Sequence, residues 1–359
     1  MRTVKVKHPG LQAESVMKLS NIHTVLFDMD GVITSEYLYW DAAALTVLEL
    51  LCGKHHFGRE TLNVLEFMRN VKQIRETVFC GEQTIRAVKD LGVNTNWDLA
   101  YLTFCIAKIV QENENGINLS GTFERVLEYF RAQTISAPEL YDIVGKTFAI
   151  KMGRPFPQCK RGDSPLWAEV VDVFQHWFLG SERHQKYILD EAVREGLNRM
   201  EQPIVPLSEL HTSLSALKQK GLTLGIGTGR PKEEIALPLN LWDIVQYFDF
   251  EHCVTYTDVL EAERELKTEY SLAKPHPFVF LKAMWGCNES NQKLLLIGGD
   301  TPQIKETLVV GDAASDLLAA KKAGFPFAAV LTGAGTKDYF EANGPDLILE
   351  SITQLPQYL

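Results

Sequence analysis

The sequence has no C-x-x-C pair: its six cysteines, Cys52, Cys80, Cys105, Cys159, Cys253 and Cys287, are scattered. That excludes a zinc ribbon and a thioredoxin-type exchange site. Isolated thiols suit a reducing compartment. A basic stripe is also missing. Lys+Arg number 36 against 46 Asp+Glu, for a net charge of −10, with no long basic run. The electrostatic footprint of a nucleic-acid binder is therefore absent. A small anionic substrate stays open, because a site needs only local positive groups. No apolar run reaches the ~18 residues that span a bilayer. Residues 1–21 hold no apolar core of signal-peptide length. The expectation is a soluble, cytoplasmic chain without a nucleic-acid or membrane partner. Internal repeats and low-complexity segments are lacking too.

What is present describes a globular protein. The chain has 359 residues, 45% hydrophobic and 23% charged. A chain of this size buries roughly three quarters of its unfolded surface, so a metal site in it points to chemistry and not to holding a core. Length suggests about two domains. Thr24-Val25-Leu26-Phe27 reads as a buried strand that runs into Asp28-Met29-Asp30-Gly31. From about residue 41 to 198 the texture is helical, with apolar spacing at 42–51, 97–110, 123–131, 165–179 and 182–196. Strand–helix alternation returns near Pro206, with strands expected at 222–226, 248–254, 308–310, 327–331 and 346–349 and helices at 207–220 and 316–323. Such alternation argues a parallel sheet covered on both faces. The strand at Val25 cannot stand alone and should join this sheet. The expected organisation is a Rossmann-like α/β core from 1–35 and 206–359, with a large all-helical insert at 36–205.

In open parallel sheets ligands bind beyond the carboxyl ends of the strands. Those ends carry Asp28 and Asp30, then Thr228, Gly229 and Arg230, then Asp312 and Asp316 in Gly311-Asp312-Ala313-Ala314-Ser315-Asp316, with Lys274 between them in Ala273-Lys274-Pro275. Carboxylates suit a hard Mg²⁺ ion. A lysine supplies a point charge to a phosphoryl group and a threonine hydroxyl adds a hydrogen bond. One Asp can attack phosphorus, and another carboxyl can protonate the leaving oxygen and then activate water.

This set resembles the haloacid dehalogenase-like superfamily, mostly phosphatases with a helical cap. The first motif matches at Asp28-Met29-Asp30-Gly31-Val32, the second at Thr228, the third at Lys274 and the fourth at Gly311-Asp312…Asp316. The resemblance covers about 21–35 and 206–350 and says little about the insert. It implies that Asp28 is the nucleophile and a metal ligand, and that Asp30 is the general acid/base and lends its backbone carbonyl to the metal. Thr228, Gly229 and Lys274 would hold the phosphoryl group and Arg230 would contact substrate or form a salt bridge. Asp312 would bind Mg²⁺ directly, and Asp316 would ligate it or orient water or Lys274. Gly31 is expected to serve backbone geometry. Asp30 separates reaction classes, because dehalogenases of the superfamily lack it, whereas phosphatases and phosphomutases keep it.

The expectation is thus an Mg²⁺-dependent phosphomonoester hydrolase acting on a small phosphorylated metabolite, with cap closure excluding water. A phosphomutase of the β-phosphoglucomutase kind is the alternative. Those mutases usually carry a His soon after the first motif, and Glu36-Tyr37-Leu38-Tyr39-Trp40 has none. A non-catalytic binding protein on the same fold is a third reading, and the insert also offers faces for a homo-oligomer. Two decoys are set aside. Gly225-Ile226-Gly227-Thr228-Gly229-Arg230 fails G-x-G-x-x-G at its last position. Leu296-Ile297-Gly298-Gly299-Asp300 mimics a strand ending in Gly-Asp but has Ile304 where a second Asp belongs. In the insert, Trp167, Phe174, Trp177 and Phe178 read as core. The basic stretch Lys151, Arg154, Lys160 and Arg161 reads as a solvated loop.

Overall fold

In the computed structural model, which describes residues 19, 21–93, 95–114, 118–182, 193–268, 270–296 and 301–359, Thr24–Phe27 forms strand β1. Around it lies a parallel sheet with β2 (Thr223–Gly227), β3 (Cys253–Val254), β4 (Thr307–Gly311), β5 (Phe327–Val330) and β6 (Leu347–Leu349), in the order β3-β2-β1-β4-β5-β6. β1 pairs with β2 on one side (Phe27 opposite Ile226) and β4 on the other (Phe27 opposite Val310). The order runs outward in both directions from β1 and β4, so a crevice opens at their carboxyl ends.

The near-continuous apolar run of β1 is explained by burial on both faces. Val25 and Phe27 pack with Leu210, Leu214 and Leu217 from helix Leu207–Gln219. Leu26 packs on the opposite face with Phe280 from helix Phe278–Trp285 and Leu317 from helix Ala314–Ala323. Strands β1, β4, β5 and β6 lie within a residue or two of the sequence expectation. The expected strand at 248–254 shrinks to Cys253–Val254, because Asp249 caps a 3₁₀ turn at Phe250–His252 by accepting the N–H of Glu251.

The chain divides into two units, Met1–Glu36 with Glu201–Leu359, and Tyr37–Met200. The first holds the sheet. The second is helical, with its core built from Tyr37–Cys52, Asn96–Asn113, Ala137–Lys151 and Pro165–Leu179. Helix Pro165–Leu179 starts where Ser164 accepts the N–H of Trp167 and ends at Gly180, whose φ of 82° suits glycine. Phe174, Trp177 and Phe178 are fully buried and Trp167 packs against them, as expected of core aromatics. The basic stretch is exposed at Lys151, Arg154, Lys160 and Arg161, as expected of a solvated loop, though two of its arginines also have partners. Arg161 meets Asp98 at 2.8 Å and lies over the rings of Tyr141 and Trp167, while Arg154 lies over Phe57. The helix expected at 182–196 lies mostly outside the described residues. Its end is not helical, because Glu195 bridges Gly180 in antiparallel fashion.

A buried ionic cluster crosses this unit. Arg194 grips both carboxylate oxygens of Glu49, at 2.7 and 2.8 Å. His56 lies between Glu49 and Glu169, with Nδ1 2.7 Å from Glu169. Burial alone would lower the imidazole pKa, but the two carboxylates raise it to about 9. Burial likewise opposes the charge on Glu49, yet His56 and Arg194 bring it down to about 2. Among the described residues no helix is long and apolar enough to cross a membrane.

Candidate active site

Three strand ends deliver the site. Asp28 follows β1, and its N–H is tied to the carbonyl of Val310, which carries the β1–β4 ladder one step further. Asp312 follows β4. Asp316 sits in the first turn of helix Ala314–Ala323, where its Oδ2 accepts the N–H of Ala313 at 3.2 Å. That position favours a carboxylate, since first-turn N–H groups are otherwise unpaired. All three are buried, and one ligand oxygen from each lies within 4.8 Å of the others.

Lys274 reaches this group from the loop before helix Phe278–Trp285. Its Nζ is 2.9 Å from Oδ1 of Asp28 and 2.7 Å from Oδ1 of Asp316, and it lies 4.8 Å from the centre of the Phe280 ring. Burial disfavours the ammonium, but the two carboxylates outweigh it and raise its pKa. Asp28 behaves in the opposite way. Its carboxyl is raised to about 7 in all, by burial above all, with Lys274 offsetting part of the rise and Asp316 and Asp30 adding to it. Three carboxylates against one ammonium leave an excess of negative charge. An all-oxygen donor set with that excess fits a hard divalent cation such as Mg²⁺.

Asp312 is held by backbone. Its Oδ2 accepts the N–H of Ala334 at 2.7 Å, and its carbonyl accepts that of Gly335. Two glycines make room for it. Gly31 has φ +72°, and a Cβ there would lie 2.5 Å from the Asp312 carboxylate. A Cβ at Gly333 would lie 2.0 Å from Oδ2 of Asp312. Gly31 thus has the geometric role expected of it. The loop after β5, Thr332-Gly333-Ala334-Gly335, was not singled out from sequence. Its signal was a glycine-rich stretch at a strand end.

The second motif splits. Thr228 is buried just beyond β2, its N–H bonded to the carbonyl of Val254 and its Oγ1 accepting the N–H of Arg230. That leaves its hydroxyl proton to donate. Gly229 is exposed, and a Cβ there would meet nothing within 4 Å, so the chain is open at this point. Arg230 makes the salt bridge expected as the alternative to a substrate contact. Its side chain is 1% exposed and its guanidinium is directed at Asp30 and Glu201. The carboxylate of Asp30 accordingly faces Arg230 and is not among the three of Asp28, Asp312 and Asp316 that lie together. Glu201 had no local signal in the sequence. It is buried, which raises its pKa, with Arg230 offsetting part of that and Asp30 adding to it. The Gly-Asp decoy at 296–300 lies mostly outside the described residues, and Leu296 itself ends helix Asn291–Leu296.

The family model of haloacid dehalogenase-like hydrolases matches residues 22–324. The chain belongs to that family. Among curated relatives, the phosphoglycolate phosphatase of Escherichia coli (strain K12) is 31% identical over 146 residues, covering 40% of this chain and 46% of the relative. The pyrophosphatase PpaX of Bacillus cereus (strain AH820) is 29% identical over 146 residues, covering 41% and 56%. The chain thus spans about half the length of the curated relatives it matches. An X-ray structure solved as a Northeast Structural Genomics Consortium target is similar over 94% of this chain and 98% of its own, at 26% identity and a TM-score of 0.75. As a haloacid dehalogenase-like hydrolase, the chain has its family's α/β fold.

Proposed function

We propose that this hydrolase is an Mg²⁺-dependent phosphatase of small phosphomonoesters that works through an aspartyl-phosphate at Asp28. The observation that supports it is the meeting of Asp28, Asp312 and Asp316 with Lys274 beyond β1 and β4. Asp28, Asp312 and Asp316, with the backbone carbonyl of Asp30, would hold Mg²⁺, which when bound supplies charge neutralisation for phosphate oxygens.

The chain's own residues do the rest. Lys274, the hydroxyl of Thr228 and the backbone at Gly229 hold the phosphoryl oxygens. An oxygen of Asp28 forms a bond to phosphorus as the ester P–O bond breaks, and Asp30 gives its proton to the departing oxygen. Water then attacks the aspartyl-phosphate and loses its proton to Asp30. Inorganic phosphate leaves and the Asp28 carboxylate is restored. Lys274 also opposes the rise that burial imposes on the Asp28 carboxyl and so favours its ionised, nucleophilic form. A cytoplasmic setting belongs to the same proposal.

The test is phosphate release with Mg²⁺ from an aryl phosphate and a panel including phosphoglycolate, pyrophosphate, sugar phosphates and nucleotides, with Asp28→Asn alongside. Release that disappears with EDTA and in Asp28→Asn supports the reading. A folded, Mg²⁺-binding protein that releases nothing overturns it. A sugar-phosphate isomer in place of phosphate would make the enzyme a mutase.

A further inference from the structure

We propose that Arg230 and Glu201 form a buried pair that positions the carboxylate of Asp30, so that Arg230 serves the reaction through Asp30 and not by touching the phosphoryl group. This rests on the hydrolase reading above. The guanidinium lies side-on to Asp30. Its Nε donates to Oδ2 at 3.0 Å and Oδ1 at 3.2 Å, and its Nη2 donates to Oδ1 at 2.6 Å. Nη2 also meets Oγ1 of Thr34 at 2.8 Å and Oε1 of Glu201 at 2.7 Å. The Thr34 hydroxyl in turn donates to Oδ1 of Asp30 at 3.0 Å.

Exposure sets the direction. The Asp30 side chain is 22% exposed, whereas those of Arg230 and Glu201 are 1% and 0%. The cation therefore lies behind Asp30, and Glu201 lies on its buried side. A buried cation with a single partner is poorly compensated, and a second carboxylate reduces that cost. Glu201 thus anchors Arg230, and Arg230 fixes the rotamer of Asp30 by a two-point contact. Three donors crowd Oδ1. Among the described residues Oδ2 takes one 3.0 Å bond, so it is the oxygen left to meet a leaving group. General acid–base catalysis depends on such placement.

The variants are Arg230→Lys and Glu201→Gln, the second carrying the test if the first does not fold. Each is assayed on an aryl phosphate, whose leaving group needs little protonation, and on glycerol phosphate, whose leaving group needs much. Inorganic phosphate serves as competitive inhibitor. We expect kcat on glycerol phosphate to fall by about tenfold or more and kcat on the aryl ester by about threefold at most. KM and the phosphate inhibition constant should stay within about twofold, and the variants should add no loss to Asp30→Asn. A phosphate constant weakened about tenfold, with equal losses on both esters, would show that Arg230 holds the phosphoryl group and overturn the proposal. Unchanged kinetics would overturn it too. If the wild type releases phosphate from neither ester, the best ester of the panel above takes their place; if it releases phosphate from no member of that panel, the hydrolase reading itself fails, and a denaturation cycle of Arg230→Lys with Asp30→Asn decides the pairing. Coupling of about tenfold in the folding constant upholds it, and additivity refutes it.

Discussion

Lys274→Met is the sharpest perturbation of the site. Methionine keeps much of the stem but deletes the ammonium that meets Asp28 at 2.9 Å and Asp316 at 2.7 Å. All three residues are buried, so water cannot replace the lost partner. Removing one member of a buried ion pair costs about 3–5 kcal/mol. At ~2–4 °C per kcal/mol for a domain of roughly 150–250 residues, Tm at pH 8 without metal should drop by about 6–20 °C. Asp28 supplies the pH dependence. Its carboxyl is raised to about 7 in the folded chain, by burial above all. A carboxyl raised in this way contributes stability that is fully present below its unfolded pKa of ~4 and is lost as pH rises through the folded value. Lys274 offsets part of that loss, so the gap between variant and wild type should widen from pH 5 to pH 8. Saturating Mg²⁺ should narrow it again, because an ion bound to the folded state stabilises it. Thermal melts at pH 5, 6, 7 and 8, in EDTA and in Mg²⁺, measure this. A gap below about 2 °C, which is under 1 kcal/mol, or one that ignores pH, would refute the reasoning.

Gly31→Ala places a Cβ 2.5 Å from the Asp312 carboxylate at φ +72°. It should cost about 1–3 kcal/mol in melts and weaken Mg²⁺ by ~10–100-fold in calorimetry, as displaced ligand support does; unchanged Mg²⁺ affinity would contradict this account of the glycine. Asp312→Asn keeps an acceptor for the Ala334 N–H but removes a buried charge. It should lose Mg²⁺ affinity by at least about tenfold while its Tm in EDTA holds or rises. In the helical unit, Arg194→Met removes the two-point partner of buried Glu49, leaving it only His56 among the described residues, and should destabilise by about 3–5 kcal/mol in denaturant titration. Adding Glu49→Gln should recover part of that, and additive losses would speak against the pairing.

Much of the site was legible because its residues follow apolar runs. Asp28 ends β1 and Asp312 ends β4, and a parallel strand buried on both faces advertises itself in sequence. Lys274 was legible as a motif but not as a contact, since its loop makes no pattern of its own. For Arg230 the sequence leaves a substrate contact and a salt bridge both open, because it stands two residues after Thr228, and the structure shows the salt bridge. Asp30, Thr34 and Glu201 together hold it there, and on Glu201 the sequence is silent. The strand expected at 248–254 failed for a local reason, the cap made by Asp249. The basic stretch is as exposed as its composition implies, but the sequence does not show that Asp98 and two aromatic rings meet Arg161.

The sequence by itself determined the class of the chain: a parallel sheet, a helical insert, and carboxylates at strand ends in the order of one family. Periodicity and strand-end chemistry are local properties, and local properties survive in one dimension. The tertiary structure decided which charges meet. It brought Asp28, Asp312 and Asp316 within 4.8 Å of one another and placed Lys274 against two of them. It turned Asp30 towards Arg230 and set Glu201 behind the guanidinium. The reason is physical. Ion pairing in a buried site depends on distance and desolvation, and both exist only once distant strand ends have been brought to one edge of the sheet.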